Sequence, residues 1–264
     1  MKDRLKRLIG SPTAIDVLCM VLIFALAAAM RAVRWTHELH LHRDSVVYLN
    51  EMRFLMEGHS FGEMLKHFVF IWEYPVPLLL LRLPALLGAD LESGAVCMSI
   101  FIGSCWAVLM YRLMYSLFPH RDAAIIAGVL AALQPLAVKL SASVLRDIPY
   151  LFFTTLAVYL MLFALRGGKK RRWYYAATGI SAAIALLSRA EAMELPIALV
   201  LGLAAAKLIL PKPEQARIDL RGILLCFASW AIGLVVLGAL LGIDWSIFWG
   251  FIKTMWRKLY PALL

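Results

Sequence analysis

Arg43-Asp44-Ser45-Val46-Val47-Tyr48-Leu49-Asn50-Glu51-Met52-Arg53-Phe54-Leu55-Met56-Glu57-Gly58 is the most polar segment in the first third of a very apolar chain. It follows the first long hydrophobic run, Ala14 to Val33, and carries an acid, Asp44, at its head. A run of about 20 apolar residues is what a helix needs to cross the hydrocarbon core of a bilayer. The hydrophobic helices are therefore expected to hold this polar segment at a membrane surface.

Composition supports that reading. The 264-residue chain is 62% hydrophobic and 17% charged, with a mean hydropathy of +0.79. A soluble domain has about 45–50% apolar and about 25% charged residues. The net charge of +10 would suit nucleic acid. However, the basic residues collect in short segments between hydrophobic runs, as the positive-inside rule expects, so nucleic acid is not an expected partner. Cys19, Cys97, Cys105 and Cys226 all lie inside apolar runs, where cysteine behaves as a small hydrophobe. No CxxC or Cys/His spacing marks a zinc site. The start, Met1-Lys2-Asp3-Arg4-Leu5-Lys6-Arg7, looks like a signal-peptide n-region. The run after it is long and lacks a small-residue cleavage site, so a retained first helix is expected.

Basic residues before the first helix place the N-terminus in the cytoplasm and the next segment, 34–92, outside. There Val46, Val47, Leu49, Phe54, Leu55 and Met56 mix with Asn50, Glu51, Arg53 and Glu57. This mixture suits a helix lying in the interface, with Asp44 or Ser45 as N-cap and Gly58 as its stop. Tyr74-Pro75-Val76-Pro77 predicts an extended approach to a leucine run, 78–87, that is too short to span comfortably. A juxtamembrane or re-entrant helix closed at Gly88 is expected, with a full span as the alternative.

Further helices are predicted over 93–118, 123–140 with a kink at Pro135, 149–165, 173–188, 195–210 and 222–241. The strongest basic cluster, Arg166-Gly167-Gly168-Lys169-Lys170-Arg171-Arg172, then falls on the cytoplasmic side, which favours the re-entrant reading. The expectation is an all-α polytopic membrane protein forming one domain over 1–264. It comprises a first span 14–33, an outer loop 34–92, remaining spans over 93–241 and an interfacial tail 242–264. Seven spans put the N-terminus inside and the C-terminus outside.

Three charged groups recur at the outer helix ends: Arg43/Asp44, Arg146/Asp147 and Arg189/Glu191/Glu194. Acids near a bilayer core are expensive, so three such groups on one side suggest a shared polar cavity. An acid there can act as a general base or hold a divalent metal ion, and arginines can grip a phosphate. Together these are the requirements for group transfer from a phospholipid carrier. Taken singly, each Arg-Asp pair is equally an anchor snorkelling at the interface. His37, His40 and His42 form H-x-x-H-x-H, whose spacing would allow a metal, although a polar interfacial turn without metal is the simpler account. Trp35, Phe68, Phe70, Trp72 and Tyr74 read most simply as an interfacial aromatic belt.

Arg43-Asp44-x-x-x-Tyr48, then Tyr74-Pro75-x-Pro77 with its leucine run, then Ser141-x-x-Val144-Leu145-Arg146-Asp147, then Leu187-Ser188-Arg189-Ala190-Glu191, stand in this order over Ala14 to Leu210. In that order and sidedness the chain resembles the GT-C membrane glycosyltransferases. The likeness is to the dolichyl-phosphate-mannose protein mannosyltransferase and aminoarabinose-transferase group. The resemblance implies a transferase that takes a sugar from a polyprenyl-phosphate donor on the outer face and passes it to a lipid, glycan or protein acceptor. By that likeness Asp44 is the catalytic base, and Arg43, Tyr48, Tyr74, Asp147 and Glu191 line the substrate cavity. Arg146 and Arg189 are the candidates for the lipid phosphate. The chain differs from the group's pattern at Ser143, where an acid is frequent, at Val76, where a second proline is, and at Ala190-Glu191-Ala192, where Pro-Glu-Gly is.

Members of the group usually run longer. A chain of this length is expected to be a compact member, a fragment, or one half of a two-chain assembly. A bacterial inner membrane is the expected location. The competing expectations are a non-catalytic membrane scaffold and a transporter of lipid-linked sugars. A transporter would place charges at broken helices near the midplane, whereas here they lie at helix ends.

Overall fold

The computed structural model describes residues 13–37, 43–67, 75–118, 120–209 and 219–240. Among these the regular structure is helical throughout. In chain order the helices are α1 (Ala14–His37), α2 (Arg43–Met56), α3 (Phe61–His67), α4 (Pro75–Leu86), α5 (Leu91–Leu117), α6 (Arg121–Leu133), α7 (Pro135–Ser141) and α8 (Asp147–Arg166). They continue with α9 (Arg171–Leu186), a 3-10 turn at Ala190–Met193, α10 (Glu194–Ile209) and α11 (Leu220–Leu240).

Small residues bring the first bundle together. Ala27 of α1, Ala107 of α5 and Ala124, Ala131 and Ala132 of α6 are buried with Ile23 and Tyr111. In a membrane, where lipid is as apolar as leucine, such close backbone approach is what favours helix association. At Gly128 a Cβ would stand 2.7 Å from Ile23 Cδ1 and 3.1 Å from Tyr111 Cβ, so only glycine fits without movement. Ile15, Leu18, Val21 and Leu22 on α1 stay more than half exposed, as a lipid-facing surface requires.

One end of the bundle is tied by polar contacts. Asp16 is buried at the start of α1 and receives Tyr111 Oη at 3.2 Å and Arg121 Nε at 3.0 Å. Thr13 caps the same turn, donating its hydroxyl to Asp16 at 2.6 Å. At that end too, Arg166 donates to the carbonyl of Ser116. The largest apolar cluster gathers the other end: Tyr48, Leu49 and Met52 of α2, Val76, Leu78 and Leu81 of α4, Val144, Leu145 and Ile148, and Leu186, Leu187 and Ala192.

The seven predicted spans are confirmed in part. Among the described residues, four helices are long and apolar enough to cross a membrane: Ala14–His37, Leu91–Leu117, Asp147–Arg166 and Leu220–Ala239. A fifth forms if α6 and α7, bent by 54°, count as one broken span. α9, of 16 residues, reaches only about 24 Å at 1.5 Å per residue. The 12 residues of α4 fall short as well, in keeping with a juxtamembrane or re-entrant helix.

Three local expectations also change. Asp44 is the second residue of α2 rather than its cap, and its carboxylate lies in the first turn, at the positive end of the helix dipole. Pro75 and Pro77 sit inside the first turn of α4, not in an extended lead. The first turn of a helix needs no N–H donors, so prolines are tolerated there. The helix predicted over 123–140 is two helices, since Pro135 begins α7 under a cap in which Gln134 Oε1 accepts from Ala137 N at 2.7 Å. The stops at Gly58 (φ 96°) and Gly88 (φ 94°) are as expected, both in the left-handed region that glycine reaches without strain. The interfacial tail at 242–264 lies outside the described residues.

Candidate functional site

Arg189 is the centre of the polar cluster. Helix α9 ends at Leu186, and Arg189 follows in extended conformation (φ −163°, ψ 135°) before the Ala190–Met193 turn. Its Nη1 donates to Asp147 Oδ1, and its Nε lies 2.9 Å from Glu191 Oε2. Its guanidinium carbon stands 5.9 Å from the centre of the Tyr150 ring, within cation–π range. One cation therefore joins the first turn of α8 to the turn before α10. Beneath it, Val76 N donates to Leu187 O at 3.3 Å, which fastens the start of α4 to the same corner.

The charges in this corner act on one another. Burial pushes the Glu191 carboxyl up, but the hydrogen bond from Arg189 and the charges of Arg189 and Arg146 outweigh it, holding the group below its usual value. Arg146 precedes α8 and is half-buried. Asp147 and Glu191 keep part of their surface open, at 20% and 41% side-chain exposure, so both remain accessible to a bound molecule.

The structure thus brings together Asp147, Glu191 and Arg189, with Arg146 acting on Glu191 by charge. Arg43 and Asp44 are exposed at the start of α2. They are linked to this corner through their helix: Tyr48, 8% exposed, Leu49 and Met52 enter the cluster that contains Val144, Ile148, Leu187 and Ala192. Tyr74, His40 and His42 lie outside the described residues. His37 is exposed at the end of α1. Among the described residues no three His, Cys, Asp or Glu side chains form a metal-binding group. Asp147 and Glu191 already share Arg189, which takes up charge that a divalent ion would otherwise balance.

A family model described as dolichyl-phosphate-mannose-protein mannosyltransferase matches residues 73–238, more than half of the chain. The chain belongs to this mannosyltransferase family. It is an integral membrane protein of the glycosyltransferase type. The match spans Pro75, Asp147, Arg189 and Glu191, while the stretch with Asp44 precedes it. No curated protein and no solved structure matches the chain.

Three buried charged residues stand outside the predicted set: Asp16, described above, Glu51 and Arg31. Glu51 is among the polar residues of the predicted interfacial helix, yet it is fully buried on α2. Arg31 is fully buried on α1. The signal for Arg31 was available: an arginine within an otherwise apolar span is a functional candidate by default. Nothing in the local pattern of α2 distinguishes Glu51 from its exposed neighbours Asn50 and Arg53.

Proposed function

We propose that this mannosyltransferase-family chain moves a sugar from a polyprenyl-phosphate donor to an acceptor at the outer membrane face, with Asp44 as general base. The observation that carries the reading is the Asp147–Arg189–Glu191 cluster, standing within the span of the family match and at the end of α8 opposite the basic cluster Lys169–Arg172. The positive-inside rule places the basic end in the cytoplasm and the acidic end outside.

In the reaction the acceptor hydroxyl loses its proton to the Asp44 carboxylate as its oxygen attacks the anomeric carbon. The bond from that carbon to the phosphate oxygen breaks, and the prenyl phosphate leaves with the bonding electrons. Inversion follows from a single displacement. Arg146 offers its charge to the phosphate as negative charge grows there. Arg189 holds Asp147 and Glu191 in place, and these two acids orient the sugar hydroxyls by accepting hydrogen bonds. Tyr48 and Arg43 support Asp44 from the same helix, and Tyr74 lines the approach.

A second reading, a non-catalytic partner module, draws on one observation: the family match starts after the Asp44 stretch. One assay separates the two. Membranes containing the chain are supplied with radiolabelled mannosyl, glucosyl and aminoarabinosyl phosphoundecaprenol, with and without a chelator. The enzyme reading expects consumption of at least one donor, unchanged by chelation. No consumption of any donor favours the partner module, and loss on chelation overturns the metal-free mechanism.

A further inference from the structure

We infer that Arg31 is a positioning residue that sets the break between α6 and α7 and thereby where Arg146 and Asp147 stand. The inference rests on the reading of Asp147 as a site residue. Arg31 Nη1 donates to Ala27 O on its own helix at 3.0 Å and across to Ala132 O at 3.2 Å. Ala132 is the penultimate residue of α6. In a continuous helix its carbonyl would accept from the amide four residues on. The 54° bend at Gln134 and Pro135 takes that amide out of line, and Arg31 supplies the donor instead.

Two more contacts fasten the segment that follows. On α5, a Cβ at Gly103 would overlap Ser141 Oγ and come within 2.8 Å of Arg31 Nε, so the glycine lets the end of α7 and the guanidinium pack on bare backbone. Ser141 Oγ donates to Ala137 O at 2.6 Å, and Ser99 Oγ donates to Ser143 O at 3.0 Å. Three residues then separate Ser143 from Asp147. Ala132, Ser141 and Ser143 are thus pinned in turn, and the chain is delivered to the Asp147–Arg189 pair from a fixed base.

The arrangement is unfavourable for stability alone. Arg31 is 0% exposed, and its Nε and Nη2 have no hydrogen-bond partner among the described residues. A buried charged group with unused donors is commonly replaced by an apolar side chain of similar volume without loss of stability, and sometimes with a gain. What an apolar side chain cannot do is hold the Ala132 carbonyl. Geometry at the break is what the guanidinium supplies.

The test uses the full chain in lipid nanodiscs, with Arg31→Met, Arg31→Lys, Gly103→Ala and Gly103→Ala/Ser141→Ala. Arg31→Met is expected to keep or raise the thermal midpoint while amide hydrogen exchange over 132–147 accelerates at least tenfold and exchange in α9 and α11 stays as in the parent. With radiolabelled mannosyl phosphoundecaprenol, kcat is expected to fall at least tenfold with donor KM within twofold. Arg31→Lys, which keeps a donor for Ala132 O, restores part of kcat. Gly103→Ala reproduces the loss, and adding Ser141→Ala, which removes the Oγ overlap but leaves the residue-141 Cβ within 2.9 Å, restores at most part of it. Parental exchange over 132–147 in both Arg31→Met and Gly103→Ala, or a kcat loss no larger than the loss of folded protein, overturns the inference. Asp147→Asn is assayed alongside. Normal transfer by that variant overturns the role of Asp147, while the exchange data still decide whether Arg31 positions the segment.

Discussion

Arg189 gives the site its electrostatic character, because a single guanidinium fork serves two carboxylates from different elements. Glu191 is the carboxylate whose titration reports on it. The folded value is depressed below the ordinary 4.5, so its contribution to stability is complete above that value and is lost as pH falls through the lower folded value. The thermal midpoint of the native chain should therefore drop as pH falls below about 4.5, the ordinary value at which the loss begins. In Glu191→Gln this drop should be smaller. Equal slopes for the two proteins would show that the Arg189 contact contributes nothing to folding. The acids and arginines of this corner were legible in the sequence as charges at helix ends. Their pairing was not, since Asp147 and Arg189 are 42 residues apart and no local pattern couples them. The burial of Arg31 was open to inference from its place in an apolar span. The link from Asp16 to Arg121 crosses 105 residues and left no trace.

At the scale of elements, α9 packs closely on α11. A Cβ on Gly179 would overlap the carbonyl oxygen of Cys226 and stand 2.8 Å from Trp230 N, both backbone atoms that cannot rotate away. Gly222 in turn lies under the Tyr175 ring. Gly179→Ala should therefore force the two helices apart at a cost of about 1–3 kcal/mol, the usual range for overpacking a filled core. The check is a lowered thermal midpoint in detergent, with the Ile180→Ala variant, whose side chain is 45% exposed, as the neutral comparison. An unchanged midpoint would contradict the close packing. Hydropathy located these helices to within a few residues because each lipid-facing turn must be apolar. Hydropathy does not separate α9 from a span, because a 16-residue helix buried among neighbours has the same composition as one. Pro135 was legible as a kink, whereas Pro75 and Pro77 misled, because a proline reads alike before a helix and in its first turn.

The whole molecule has two ends of different character. One is closed by Asp16, Tyr111 and Arg121 and by Arg166 on Ser116, next to the exposed Lys169, Lys170 and Arg172. The other carries α2, α4 and the Arg189 corner on the largest apolar cluster. Transfer at that second end, with Asp44 taking the acceptor proton, is the central claim. A positioned general base contributes about 10²–10⁴-fold to rate. The deciding measurement compares the native chain with Asp44→Asn in sealed, right-side-out membrane vesicles, at matched membrane insertion and with each labelled prenyl-phosphate sugar in turn. The account predicts transfer to external acceptor by the native chain and at least a hundredfold slower transfer by Asp44→Asn. Undiminished transfer by the variant would contradict it.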